Sequence, residues 1–292
     1  MRLLLGVDAG GTASRAALTT LDGTAVGIGN AGPGNPSAQG VQAAQAIGSA
    51  VRAALGDHDP AAVSAAVVGV AGISGLTDPA VSGAFEREWK DIGLDCPVRI
   101  VGDAVTAFAA GTTARSGAVL IAGTGSVAAL VDGLDVVRTA DGLGWLLGDE
   151  GSGTWLGLQA VKAAARGEAL TAQVFAAARV TSTDALINWA GRQPPSSFAA
   201  LAPLVCTSTD PGAKRIVEQA VACLLNTLDR LASPDGPVVL AGSLLTADTP
   251  IRAGVRESLR SLGVPVGTAQ NPVSGAIRLA AAGTGLQPEK LR

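Results

Sequence analysis

The strongest constraint on this chain is a plan that it states twice. Residues 3–29 read as a strand (LLLGV), a Gly-rich turn, a strand (SRAALTT), an Asp-Gly turn and a strand (AVGIG). Residues 117–139 read the same way: a strand ending in IAG, a Gly-rich turn, SVAALV, another Asp-Gly and DVVRT. Asp-Gly between short apolar strands signals a hairpin, because both residues accept the positive φ of a tight turn. Two such meanders, each followed by helical and strand patterns, imply two α/β domains, the number that 292 residues also suggests. The crossing segment is expected at GTTARSG (111–117), which gives domains of 1–112 and 113–273.

Further apolar runs, AAVVGVAG (65–72), VRIVGD (98–103), AVLIAG (118–123) and PVVLAG (237–242), read as buried strands. Between them lie Ala-rich segments with helical spacing. In residues 38–55, Val41, Ala44, Ile47, Val51 and Leu55 fall on one face, and 155–167 and 213–232 behave alike. The five strand runs end in Asp8, Gly72, Asp103, Gly123 and Gly242. Ligands of α/β sheets bind outside the carboxyl ends of strands, so two such edges facing each other would enclose one active-site cleft.

Charge narrows the partners. A net charge of −3 offers no field for nucleic acid or an anionic membrane, so any bound phosphate must be held by backbone groups or a metal. Cys96, Cys206 and Cys223 are odd in number and lack CxxC spacing, which argues against a disulfide framework or a zinc knuckle. They are expected to be small buried apolar residues in a reducing compartment. No apolar run approaches the roughly 18 residues of a membrane span. The acid at position 8 comes too soon for a signal peptide, so a cytoplasmic location is expected. The single histidine, His58, lies in a polar turn (GDHDP) and is expected at the surface. Without a second one, neither a Ser-His-Asp triad nor a His-rich metal site can be built.

Four stretches carry chemistry. In DAGGT, glycines let backbone N–H groups turn toward an anion, Thr12 adds a hydroxyl, and Asp8 is placed to hold Mg²⁺; a plain hairpin turn is the alternative. AGTGS (122–126) repeats the device. Its spacing imitates a dinucleotide fingerprint, but a strand pattern follows where that motif needs a helix, and no P-loop sequence occurs. In VGDAVTAF, Asp103 is placed to accept a proton from an alcohol, with a helix cap as the alternative. In GLGWLLGDEGSGTWLG (142–157), Asp149 suits sugar hydroxyls, and Trp145 or Trp155 suits a ring face or the core.

Taken in order, the motifs resemble the N-acetylglucosamine and glucosamine kinases, BadF/BadG/BcrA/BcrD-type ATPases of the sugar kinase, actin and Hsp70 superfamily. The carriers are GVDAGGT, GNPS (34–37), GVAG (69–72), GDA (102–104), IAGTGS, LLGDEGSG (146–153), VVLAGSLL (238–245) and NPVSGAIRLA (271–280). The resemblance implies two ribonuclease H-like, actin-like ATPase domains, with segment 274–292 packing back on the first. It implies ATP and Mg²⁺, the metal organised by Asp8. Gly10, Gly11 and Thr12 would hold the β- and γ-phosphates. Gly123, Thr124 and Gly125 would lie on the other side of the triphosphate, and Gly242 and Ser243 along the adenosine. Asn35, Ser126, Trp145, Asp149 and Glu150 would meet the sugar, and Asp103 would be the base.

The implied reaction is phosphorylation of the 6-hydroxyl of an amino sugar, with N-acetylglucosamine ahead of glucosamine. Many relatives carry Gly-Trp-Gly before LLGDEG. Here Leu143 takes the Trp position and Trp145 is displaced by two, which bears on the acyl pocket. A dehydratase-activator ATPase is disfavoured because no cysteine lies near Asp103 or the turns. A non-catalytic ATP-dependent sensor is disfavoured because Asp103 and Asp149 both stand, and the ROK kinases because their Cys-rich zinc motif is absent. No nucleic-acid or membrane partner is expected, and a homodimer is left open.

Overall fold

The computed structural model describes residues 1–231, 236–269 and 271–284. Its chain divides into two compact units. The first comprises residues 1–115, 133–136 and the segment from Ala269 onward; the second comprises 116–132 and 137–268. Four chain crossings therefore join them.

The first unit is built on β1 (Leu3–Ala9), β2 (Ser14–Thr20), β3 (Ala25–Ala31), β4 (Val63–Val70) and β5 (Val98–Gly102). Their order across the sheet is β3-β2-β1-β4-β5. The pairs β1–β2 and β2–β3 are antiparallel, and β1–β4 and β4–β5 are parallel. The run LLLGV is apolar throughout because both faces of β1 are covered. Leu3, Leu5 and Val7 point into one core with Ile47, Val51 and Phe85, from the helices Gln42–Leu55 and Pro79–Ile92. Leu4 points the other way, into a core with Val101, Val105 and Ile277, which the helices Asp103–Gly111 and Pro272–Gly283 complete. Glycine is required at 275, where a Cβ would collide with Thr106 O.

The second unit repeats this scheme. Its strands are β6 (Gly117–Ala122), β7 (Ser126–Asp132), β8 (Asp135–Asp141), β9 (Val238–Ala241) and β10 (Val266–Thr268). Their order is β10-β9-β6-β7-β8, with β6–β7 antiparallel and β6–β9 and β9–β10 parallel. Leu120, Leu156, Leu224 and Leu240 share its core, with the helices Gly153–Ala165, Pro211–Asp229 and Pro250–Ser261. The dinucleotide reading of AGTGS fails in the structure as expected, because β7 follows the turn.

Two expectations need correction, and one alternative falls away. The 38–55 segment is not one helix: Gly40, at φ 56°, ends a short turn at Pro36–Gln39, and the long helix starts at Gln42. Val41 is therefore 44% exposed, while Ala44, Ile47, Val51 and Leu55 are buried. The three cysteines are free as expected but only partly buried. Asp103 is not a helix cap, because Gly102 takes that position and Asp103 opens the first turn.

Candidate active site

In the first unit the site residues gather at the carboxyl edge of the sheet. Asp8 is the penultimate residue of β1, in register with Gly69 of β4, and Val70 is in register with Gly102, immediately before Asp103. Burial and the nearby Asp103 charge raise the Asp8 pKa to about 6, although Arg15 opposes the shift. The Asp103 carboxyl is also raised, chiefly by burial, with backbone N–H groups of Ala104 and Asp103 acting against it. Two acids are thus held together with little compensating charge.

The β1–β2 turn lies beside them. Gly10 N–H closes it onto Ala13 O at 3.0 Å, and Gly34 N–H bonds to Gly10 O at 3.0 Å. Among the described residues nothing accepts the N–H of Gly11 or Thr12, both exposed. A Cβ at Gly10 or Gly11 would meet no atom within 4 Å, so the missing side chains leave the turn's outer surface open. Asn35, drawn in by the Gly34 bond, spends Oδ1 on Ala38 N–H at 3.1 Å and packs against Gly72. Its Nδ2 has no partner among the described residues.

The second unit carries the matching turn between β6 and β7. Gly123 N–H bonds to Gly125 O at 2.9 Å, and the N–H groups of Thr124 and Gly125 are likewise left without an acceptor among the described residues. The start of the Gly153–Ala165 helix supports this turn from behind: Gly153 N–H donates to Gly123 O at 2.7 Å, and the Thr154 hydroxyl to Thr124 O at 2.8 Å. Gly242, at φ 81°, could not carry a side chain, since a Cβ would collide with Ala122 O. It brings Ser243 alongside Gly123. A cavity of about 330 Å³ opens there, lined among others by Gly123, Thr124, Ser243, Leu244, Pro203 and Cys206. That volume is at the small end of ligand pockets.

Ser126 and the acidic turn form one network. Ser126 is 3% exposed, and its hydroxyl donates to Glu150 O at 2.8 Å, so it is committed to holding the loop and not open to a ligand. Its N–H donates to Asp149 Oδ1 at 3.2 Å, which lays that carboxylate over Gly125. Burial raises the Asp149 pKa, the Ser126 N–H opposes the shift, and the Asp141 charge adds to it. Glu150 pairs with Arg230 at 3.7 Å. Trp145 is 41% exposed and stacks on Phe198 with centroids 6.3 Å apart, so the side chain is neither core nor fully free. Sequence reasoning missed Arg15, Asp141, Thr154 and Arg230, which act through tertiary contacts that no local spacing announces.

The residues present fit a divalent cation at Asp8. Mg²⁺ takes one or two carboxylates, keeps water ligands and shares phosphate oxygens, and a buried acid destabilised by a second acid is a suitable anchor. No cluster of three or more His, Cys, Asp or Glu suited to a metal occurs among the described residues.

A family model for the BadF/BadG/BcrA/BcrD ATPases matches residues 5–280. The chain belongs to that family. The N-acetylmuramic acid/N-acetylglucosamine kinase of Clostridium acetobutylicum is 29% identical to this ATPase over 167 residues, 56% of this chain and 54% of that enzyme. The match thus spans about half the length of that relative. A crystal structure from Chromobacterium violaceum, provisionally assigned as an N-acetylglucosamine kinase, is 28% identical, covers 96% of this chain and 99% of its own, and has a TM-score of 0.77. Another with the same provisional assignment, from Porphyromonas gingivalis, shares the fold at a TM-score of 0.79 and 24% identity, over 97% and 100% of the two chains. The ATPase therefore has the two-domain α/β fold of the actin-like ATPases and sugar kinases. No helix among its described residues is long and apolar enough to cross a membrane.

Proposed function

We propose that this ATPase is an ATP- and Mg²⁺-dependent kinase that phosphorylates the 6-hydroxyl of an amino sugar, N-acetylglucosamine first, and works in the cytoplasm. One observation carries the reading: a buried carboxyl with raised proton affinity, Asp103, stands at a strand end beside Asp8 and a turn with two free N–H groups. Phosphoryl transfer needs an acid positioned to take the acceptor's proton and donors for the phosphate oxygens, and little covalent help from the protein.

Each group then has a task. Asp103 accepts the proton of the sugar hydroxyl, and its raised pKa makes it a stronger base than an exposed carboxylate. The N–H groups of Gly11 and Thr12 donate to the terminal phosphates, and those of Thr124 and Gly125 to the triphosphate's other side. Gly242 and Ser243 border the adenosine in the cavity beside Gly123. The free Nδ2 of Asn35 donates to a sugar hydroxyl and Asp149 accepts from one, while Trp145 covers the ring. Asp8 would hold Mg²⁺, which neutralises phosphate charge when bound. Ser126 contributes indirectly, through the loop it holds.

The sugar's 2-substituent separates the two readings. A free amine wants an unpaired carboxylate, and Glu150 is the spare acid closest in sequence to Leu143, but Arg230 already faces it. That favours the acetamido sugar over glucosamine. Steady-state ADP release with N-acetylglucosamine, glucosamine, N-acetylmuramic acid, glucose and mannosamine tests the proposal, with the highest kcat/KM expected for N-acetylglucosamine. Glucosamine ahead by tenfold or more, with that lead lost in Glu150→Gln, would overturn the choice. Asp103→Asn should lower kcat by about 10²–10⁴-fold while an ATP analogue still binds; more than half of the wild-type kcat would remove Asp103 from the mechanism.

A further inference from the structure

The loop at residues 142–148 exposes apolar side chains, with Leu146 at 75% and Leu147 at 77%, yet both its ends are held fast. At the start, Gly142 N–H donates to Ser126 O at 3.0 Å. At the end, a single carboxylate takes two consecutive backbone donors: Asp149 N–H on Asp141 Oδ1 at 2.7 Å and Glu150 N–H on Asp141 Oδ2 at 3.0 Å. Asp141 sits at φ 64° and Asp149 at φ 55°, so two non-glycine residues are kept left-handed to make this closure. Gly148 is needed between them, because a Cβ would strike Asp141 Oδ1.

The far side of the same turn reaches the second Gly-rich turn. Asp149 Oδ1 accepts Ser126 N–H, the Ser126 hydroxyl bonds to Glu150 O, and the Asp149 carboxylate lies 2.8 Å from where a Gly125 Cβ would stand. Ser126 thus spends its N–H, its C=O and its hydroxyl on three residues of one loop. A carboxylate that accepts backbone N–H groups forms charge-assisted bonds, about twice as strong as neutral ones. Asp141 takes both backbone N–H groups of the Asp149–Glu150 turn without itself meeting the Gly-rich turn or serving as a proposed ligand contact.

We propose that Asp141 is a positioning residue: by gripping the N–H groups of Asp149 and Glu150 it locks the Asp149 carboxylate onto the Gly125–Ser126 turn, so that the sugar-side loop and the phosphate-side turn respond as one piece. This rests on the kinase reading above. Its consequence is that nucleotide and sugar binding are thermodynamically coupled within the second unit, since a ligand that orders either segment orders the other.

The test compares wild type with Asp141→Asn, Asp141→Ala and Asp141→Glu. Asparagine keeps the shape but turns an N–H group toward one of the two donors, whereas glutamate retains both acceptor oxygens. Expected in Asp141→Asn are faster exchange of the Asp149 and Glu150 amide hydrogens, at least a tenfold rise in KM for the sugar, and a smaller factor by which a non-hydrolysable ATP analogue tightens sugar binding. Asp141→Glu should recover part of each. A fall in kcat with sugar KM and the coupling factor unchanged would mean a structural role only and overturn the proposal. Unchanged amide exchange would overturn it independently of activity. A wild-type protein inert toward every amino sugar would sink the kinase reading instead, and the exchange data would still decide whether Asp141 grips the loop.

Discussion

At neutral pH the Asp8 carboxylate is ionised in a place where burial and Asp103 favour its neutral form. Its pKa is about 6 in the fold and 3.8 in the unfolded reference. A folded-state value above the unfolded one means that the folded chain holds the proton more tightly. The stability this confers is complete below 3.8 and is lost as pH rises through 6, a difference on the order of 2–3 kcal/mol. Asp8→Asn should therefore raise the melting temperature in EDTA at pH 7.5, and the gain should shrink at pH 4. A variant no more stable than wild type at pH 7.5 would show that Asp8 is not strained by its surroundings. The same substitution should remove most of the stabilisation that Mg²⁺ with an ATP analogue gives to wild type. Asp8 and Asp103 were legible as strand-end acids because a charged residue closing an apolar run is conspicuous. Arg15 and Asp141 were not: one meets its partner across a hairpin and the other across eight residues of irregular loop.

Among the elements, helix packing sets the place of Asp103. The Asp103–Gly111 helix opens with that acid, and the Pro272–Gly283 helix lies so close across it that only glycine fits at 275. Gly275→Ala must force the two helices apart, which costs about 1–3 kcal/mol or more by overpacking and shifts Asp103. A Cβ at Gly283, in the same helix, meets nothing within 4 Å. Gly283→Ala should be neutral or stabilising by up to about 1 kcal/mol. Thermal melts and kcat for the pair check this, and equal effects at the two glycines would sink the argument. The strand runs were readable because covering both faces of β1, β4, β6 and β9 makes them apolar without interruption. The break at Gly40 escaped the helical periodicity, which continues across it. β10 escaped because three partly buried residues carry no pattern. The loop at 142–148 carries no periodicity from which the exposure of Leu143, Leu146 and Leu147 could be read.

At the scale of the whole molecule, the first unit depends on residues that follow the whole of the second. Ala276, Ile277, Leu279 and Ala280 fill one core with Leu4, Val67, Val101 and Ala109, to which the Asp103–Gly111 helix adds Val105. A chain ending after Thr268 should lose cooperative unfolding of the first unit and all activity, although none of the proposed site residues lies beyond that point. Near-UV circular dichroism and a melt of the truncated protein check it; native-like signals would show that the helix is dispensable. The dependence has a biosynthetic side. Residues 116–132 and 137–268 can complete the second unit as they emerge, but the first must wait for the Pro272–Gly283 helix. At roughly 5–20 residues per second, a ribosome takes on the order of ten to thirty seconds between Arg115 and Gly283. Through that interval the core of Leu4, Val67 and Val101 lacks the side chains of the Pro272–Gly283 helix, and apolar surface left exposed in this way on a nascent chain is the kind that chaperones shield.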